Sequence, residues 1–407
     1  MSDFIKNYKV KLKTITPISI KSGVNKNYYE FFVGKDNVYF INQNELLTLL
    51  SEQKIDGKKA GYDVKYIDIL TKKIFSNDKS SEFTLKKIIE DLGFEFEESH
   101  PKDQKYLEEI SYYKTRNKTI KPGKTINTLI RDSFYKPFIP GSSIKGAFRT
   151  AIYAFVFSEL QEKNIDFLKK QNWLYGQNKY NQTVNNILLK ELLIHTKTNF
   201  NRNDQLIYDA KTDIMKFIGI SDAKPVKNVE TAIINFEVFG MKTQGNQEVN
   251  FVDEVILPGA EFEFELRINH NIFLKLYEKH LKHKVETRNF PKATEILSKE
   301  GDDIIFYNEL WSQKIIETEK KYWETRKFKN QYLIDFYNKL ENETDGLFRI
   351  GMGSGATSLT LASKLKEIGI DVKTNKETDM ASPATRKLAK IDGIDHPYGW
   401  CKLEIKE

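Results

Sequence analysis

Residues 261–268 read Glu-Phe-Glu-Phe-Glu-Leu-Arg-Ile, and this octet decides the fold class. Phe262, Phe264, Leu266 and Ile268 share one face, the two-residue period of a strand. Gly259 marks a turn before it, and 230–269 as a whole is strand-rich, with Ala232–Phe239 of suitable composition. At the other end of the chain, residues 8–20 (YKVKLKTITPISI) alternate through Val10 and Leu12 and break at Pro17. Tyr29–Val33 and Val38–Ile41, separated by Gly34-Lys35-Asp36-Asn37, read as a hairpin. A further strand is expected at Trp400–Ile405. Helices are expected at about 44–52, capped by Asn42 or Asn44, and at 142–160, 184–195 and 271–284. One or two amphipathic helices are expected over 305–341, and short ones in the polar stretch 53–125 (Leu70, Ile74, Leu85, Ile88, Ile89, Leu92). This order lacks the regular strand–helix alternation of a parallel sheet and suits an α+β fold on an antiparallel sheet. No fixed-period repeat suggests a solenoid.

The helix at 142–160 has the clearest start. In Phe138-Ile139-Pro140-Gly141-Ser142-Ser143-Ile144-Lys145-Gly146-Ala147-Phe148-Arg149, Pro-Gly makes a tight turn, and Ser142 or Ser143 can cap the helix. Ile144, Phe148, Ala151, Ile152 and Phe155 form the face that docks on a sheet. Lys145 and Arg149 share a different face. Free N–H groups, Gly146 and two cations together suit an anion; a well-capped core helix with solvated cations is the plainer alternative.

The chain has 407 residues, 64 Lys and Arg against 57 Asp and Glu, and a net charge of +7. Residues 111–150 alone carry nine cations, Lys114, Arg116, Lys118, Lys121, Lys124, Arg131, Lys136, Lys145 and Arg149, against Asp132. The positive excess therefore sits in a tenth of the chain, with a mobile basic tail expected at 113–125. Tyr112, Tyr113, Phe134, Tyr135 and Phe138 interleave with it, rings beside cations, as single-stranded nucleic acid requires. A merely solvated loop face is the competing reading. No run of 18 apolar residues supports a membrane span, and the first residues lack the apolar run of a signal peptide. Cys401, alone, excludes an intrachain disulfide and a cysteine zinc site. A cytoplasmic protein is expected.

Phe348-Arg349-Ile350-Gly351-Met352-Gly353-Ser354-Gly355-Ala356-Thr357 follows a possible strand and precedes a helix expected at about 357–367. A methyltransferase-like nucleotide loop is one reading. Arg349 stands where that loop usually has an acid, only 52 of the 407 residues follow Gly355, and no Walker pattern is present. A backbone passing close to another strand or to an RNA backbone is the better reading. The six histidines are scattered. His280 and His283, with Glu286 nearby, make a weak metal pair, and His396 before Pro397 suits a turn. Asp213 and Asp222, flanking Ile214–Ile220, suit turns or caps, with Asp222 also a candidate for an RNA-facing strand end. No catalytic residue, metal ligand or cofactor is expected.

Together these stretches resemble the RAMP superfamily of CRISPR-associated proteins. Ile139–Gly146 with Arg149 is similar to its signature, Tyr8–Gly23 to its first strand, Asp213–Asp222 to a strand ending in Ser-Asp, and Gly351–Gly355 to its glycine-rich loop. Pro383-Ala384-Thr385-Arg386-Lys387-Leu388 and Pro397-Tyr398-Gly399-Trp400 resemble, more narrowly, the fifth subunits of the Csm (type III-A) effector complex. The resemblance implies an RNA-recognition-motif-like (ferredoxin-like) core with large helical insertions. That core would span 1–270 with an insertion at about 53–125, followed by a helical region at 271–345 and a segment 346–407 returning to the core. It implies a capping subunit that holds the 3′ region of CRISPR RNA (crRNA) and supports its maturation, beside backbone and small Csm subunits and host nucleases. RNA contacts are expected from Ser142, Ser143, Lys145, Gly146 and Arg149, from Lys114, Arg116, Lys118, Lys121 and Lys124, and from Gly351, Gly353, Ser354 and Gly355. Sequence-specific base reading through an aromatic ribonucleoprotein motif is not expected. The alternative is a RAMP-type endoribonuclease, for which His100 is the first candidate base.

Overall fold

The structure is a computed structural model and describes residues 5–55, 58–75, 84–94, 96–118, 125–169, 213–240, 247–275, 290–343, 345–372, 383 and 385–406. The first half supplies strands β1 (Lys6–Thr14), β2 (Lys21–Asn27), β3 (Phe31–Val33), β4 (Asn37–Ile41), β5 (Lys54–Ile55), β6 (Lys58–Lys59), β7 (Ser111–Asn117) and β8 (Thr125–Leu129). After the long helix Gly141–Lys169 come β9 (Ile218–Ile220), β10 (Lys224–Pro225), β11 (Thr231–Gly240), β12 (Gln247–Ile256) and β13 (Glu261–Ile268). Helices Gly301–Thr325 and Gln331–Asn342 lead to β14 (Leu347–Arg349), β15 (Thr385–Ile391), β16 (Ile394–Pro397) and β17 (Trp400–Lys406).

The first sheet is the ferredoxin-like core. In chain order its parts are β1, helix Gly141–Lys169, β9, β13, helix Gly301–Thr325 and β17. The four core strands run β9-β13-β1-β17, with β10 also on β13 and β14 outside β17, all antiparallel, so the strands from the two ends of the chain lie side by side. Val10, Leu12, Phe262, Phe264, Leu266 and Ile268 are buried on the helix-covered face, each contributing about 1.5–3 kcal/mol. The helices meet across Phe155 and Tyr307, with ring centroids 4.8 Å apart. On the opposite face Lys9, Lys11 and Lys13 stand against Glu265, Glu263 and Glu261. Lys9 pairs with Glu263 at 2.9 Å and Lys11 with Glu261 at 3.1 Å. The open face thus neutralises itself, worth about 0.2–1 kcal/mol per pair, and these strands set no ring there for stacking RNA.

The second sheet runs β2-β8-β12-β11-β7-β4-β3, with hairpin β15–β16 paired to Phe236–Gly240 of β11, beyond Ala232 and Ile233 that meet β7. Its β3–β4 hairpin packs under helices Gln43–Glu52, Leu85–Asp91 and Pro101–Glu109, around Phe32, Tyr39, Leu46, Leu50, Ile88 and Leu107.

Three local expectations are corrected. Lys114 and Arg116 lie in β7, not in a mobile arm, because β7 pairs with both β4 and β11. The helix expected at 142–160 begins at Gly141, and neither Ser142 nor Ser143 caps it. The helix expected at about 357–367 is two short ones, Gly355–Leu359 and Ala362–Glu367. Within the strand-rich stretch 230–269, β12 (Gln247–Ile256) lies between the two strands that the sequence singled out. The helix at 184–195, the end of that at 271–284, Lys121, Lys124, His195, His280, His283 and Glu286 lie outside the described residues.

Candidate nucleic-acid interface

The helix start is fastened by its neighbours. Ile139 bridges Ala223, and the Gly141 N–H donates to Asp222 Oδ1 at 2.7 Å. A Cβ on Gly141 would lie 2.7 Å from the Ser221 carbonyl carbon, so the helix enters where only glycine fits. About two turns in, Arg149 Nε donates to Asp213 Oδ2 at 3.0 Å and its guanidinium lies over the Tyr153 ring. Asp213 also accepts from Tyr153 Oη at 3.1 Å and from the Met215 N–H at 2.9 Å, capping the 3-10 turn Ile214–Phe217. Both aspartates are therefore caps, as their flanking positions suggested. Ile144 and Phe148 are buried, and Phe148 meets Phe348 at 5.7 Å, joining this helix to the strand before the glycine loop.

What the fold does not use is as informative. Ser142 and Gly146 are exposed, and Ser143 and Lys145 partly so. Among the described residues neither serine hydroxyl makes a hydrogen bond, and no carboxylate lies within 4.0 Å of Lys145. Burial lowers the Lys145 pKa, the charge of Asp213 opposing it. A partly desolvated cation without a contact partner is poised for an anion. A Cβ on Gly146 would meet nothing within 4 Å.

The glycine loop serves mainly its own chain. Gly351 and Gly353 have φ of +85° and +78°, and a Cβ would lie 2.8 Å from the Ser19 carbonyl oxygen and 2.7 Å from Tyr398 Cβ respectively. Met352 N–H donates to the Ser19 carbonyl at 2.8 Å, and Ser354 is buried with its hydroxyl on the Gly351 carbonyl. Another chain segment therefore passes close to this backbone, which is one of the two partners expected for it. Gly355 is uncrowded, the nearest atom to a Cβ there being Thr357 Oγ1 at 4.0 Å, and it lines a cleft of about 300 Å³ with Gly353, Thr357, Thr385, Arg386 and Lys387. Behind it, Glu319 is buried between Arg386 (2.6 Å) and Arg349 (3.6 Å) and accepts from Thr357 Oγ1 at 3.2 Å. No sequence signal marked Glu319, which sits inside an amphipathic helix among other acids.

The basic window is partly spent on ion pairs. Lys114 meets Glu108 at 2.5 Å, Arg116 meets Glu230 at 2.5 Å, and Lys118 meets Asp392 at 2.9 Å. Arg131 pairs with the fully buried Glu254. His100 precedes helix Pro101–Glu109 as an exposed residue, 3.6 Å from Asp103. Among the described residues no cluster of His, Cys, Asp and Glu is arranged to hold a metal, and no helix is long and apolar enough to cross a membrane.

The model of the RAMP superfamily matches residues 11–358. A curated protein of Streptococcus thermophilus described as "CRISPR system Cms protein Csm5" is 22% identical over 273 residues, 65% of each chain, so just under two thirds of that relative is matched. Two solved structures share the fold. One is a chain of a cryo-EM Csm–crRNA–target RNA ternary complex in a type III-A CRISPR-Cas system, with TM-score 0.67, 21% identity, and coverage of 98% of this chain and 100% of that one. The other is the crystal structure of T. onnurineus Csm5, with TM-score 0.61, 19% identity, and coverage of 96% and 99%.

Proposed function

The chain belongs to the RAMP superfamily, and from that premise we propose that it is the fifth, capping subunit of a type III-A Csm ribonucleoprotein. It holds the 3′ region of the crRNA, supports crRNA maturation in antiviral defence, and acts as a non-catalytic scaffold beside backbone and small Csm subunits and host nucleases. The observation that carries the RNA-binding part is the division of labour in Ile139–Arg149. Ile139, Gly141, Ile144, Phe148 and Arg149 are consumed by the fold, whereas Ser142, Ser143, Lys145 and Gly146 are not. Two hydroxyls, a cation and a bare backbone at a helix start suit a phosphodiester. The likeness to a chain from a Csm–crRNA–target RNA assembly supports the choice of RNA.

The test is recovery of the tagged protein from its native host, sequencing the RNA and identifying the proteins. Small guide RNAs with other Csm subunits are expected, with the RNA reduced by Lys145→Glu or by Gly146→Leu, which has room in the fold. Recovery of neither RNA nor Csm proteins would refute the proposal. If about six phosphates are neutralised, log affinity against log salt should slope at roughly −4. Loss of RNA cleavage on His100→Ala would instead establish the endoribonuclease reading.

A further inference from the structure

We propose that the loop Arg131–Pro137 is a base-stacking platform for single-stranded RNA, with Phe134 as its stacking ring and the adjoining lysine-lined cleft as the seat of the flanking phosphates. The inference rests on the RNA-binding reading above and says where an unpaired base lies.

The loop is fixed at both ends and from within. Arg131 and Pro137 form an antiparallel bridge. The Asp132 carboxylate accepts from the Phe134 and Lys136 N–H groups at 2.9 and 2.8 Å, and the Tyr135 N–H donates to the Asp132 carbonyl at 3.0 Å. Tyr135 has φ of +58°, a left-handed conformation that a bulky residue rarely takes. Its ring stacks on Tyr112 at 4.9 Å and Tyr113 at 5.8 Å. The Arg131 guanidinium lies 3.9 Å over Tyr113 and donates to the Tyr135 carbonyl at 2.6 Å. This scaffolding over-determines a strained turn, the arrangement found where strain serves a site.

Arg131, Asp132 and Tyr135 are engaged in this way, whereas Phe134 at the tip is not. Phe134 is 80% exposed and, among the described residues, touches no other ring. A flat apolar surface held out on a rigid support is a surface prepared for a partner.

The surroundings specify that partner. A cleft of about 580 Å³ lies between the loop and residues 224–229. Lys136, Lys224 and Lys227 line it, exposed, and among the described residues no carboxylate lies within 4.0 Å of any of them. The two acids of its wall are already used, Asp132 on the loop's own amides and Asp222 on the Gly141 N–H. Asp222 also ties the cleft to the helix start that carries Lys145. A π face with unneutralised cations beside it matches the alternating bases and phosphates of a single strand.

The experiment uses the full chain and a short oligoadenylate carrying a single 2-aminopurine. Wild type should bind and quench the probe by stacking. Phe134→Ala should cost about tenfold in affinity and abolish the quench, with the salt slope and thermal midpoint unchanged; Phe134→Trp should restore both. Reversal of Lys136, Lys224 and Lys227 to Glu should instead flatten the salt slope by about 2. Wild-type binding that Phe134→Ala leaves intact would overturn the stacking platform while sparing the RNA reading. Failure of wild type to bind RNA at any salt, alone or in its assembly, would overturn both. If Phe134→Ala removes a protein neighbour from the native assembly and spares RNA, the loop is a protein contact and the proposal falls.

Discussion

Glu319→Gln tests whether the glycine loop is held by charge. The carboxylate is buried at the centre of a triad, 2.6 Å from Arg386 and 3.6 Å from Arg349. Desolvation works to raise its pKa, yet the two guanidiniums outweigh it and hold the carboxyl below the usual 4.5. Gln keeps the shape but leaves two buried cations facing one another. Breaking a buried pair from one side costs about 3–5 kcal/mol, and at about 1.2 °C per kcal/mol, the figure for a chain of 407 residues, that lowers the thermal midpoint by about 4–6 °C. The assay is urea unfolding of wild type and variant from neutral to acid pH. Because the folded pKa is depressed, wild type holds this stability above about pH 4.5 and loses it as pH falls through the folded pKa. The gap between the two proteins should therefore be widest at neutral pH and close in acid. A neutral gap below about 0.5 kcal/mol, the size of an indifferent surface change, would refute the argument, and so would a gap that persists unchanged in acid. Replacing Glu319, Arg349 and Arg386 together by Met should recover much of the loss.

Gly355→Ala meets only the left-handed backbone penalty of about 1–2 kcal/mol, since φ is +70° and no atom crowds its Cβ short of 4.0 Å. Gly353→Ala adds a clash with Tyr398 and should lower the urea midpoint by clearly more. Arg149→Ala strips the buried Asp213 of its cation and should cost about 1.5–3 kcal/mol, at the low end because Arg149 is partly exposed, whereas Lys145→Ala should leave the urea-unfolding stability within about 0.5 kcal/mol of wild type. His396 has its pKa lowered by burial, with the charge of Asp392 opposing. The unfolded chain therefore takes up the proton first as pH falls below 6.5, stability declines there, and His396→Gln should flatten that part of the thermal-midpoint profile.

The parts of this fold that were legible in the sequence are those whose pattern is local. Glu261–Ile268 alternates because one face is buried under the helices and the other is paired with lysines, and the alternation those causes leave lies within one short strand. Asn42 caps its helix two residues away. The helix start at Gly141 was misread by one residue because its cap, Asp222, is far off in sequence, while two serines stood locally available. Likewise Lys114 and Arg116 read as an arm because nothing nearby in sequence shows that β4 and β11 flank them. Glu319 was illegible for the same reason: its partners come from β14 and β15, and an acid in an amphipathic helix carries no mark of burial.

That contrast bears on how the interface is read. A motif found by spacing mixes residues kept for the fold with residues kept for a ligand, and spacing cannot separate them. Partnership can. Arg149 and Lys145 stand one turn apart and look equivalent as cations, but Arg149 is bound to a buried aspartate and Lys145 has no carboxylate at contact distance. Gly353 and Gly355 look equivalent as glycines, but only Gly353 is pressed against another chain segment. Phe134 and Tyr135 are adjacent rings, but Tyr135 completes a stack and Phe134 projects into solvent. In each pair the fold gives one member a partner and leaves the other without one, and Lys145 and Phe134 carry the cost of an unpaired partly buried charge and an exposed ring. A cost that brings the fold nothing is best explained by something the fold binds.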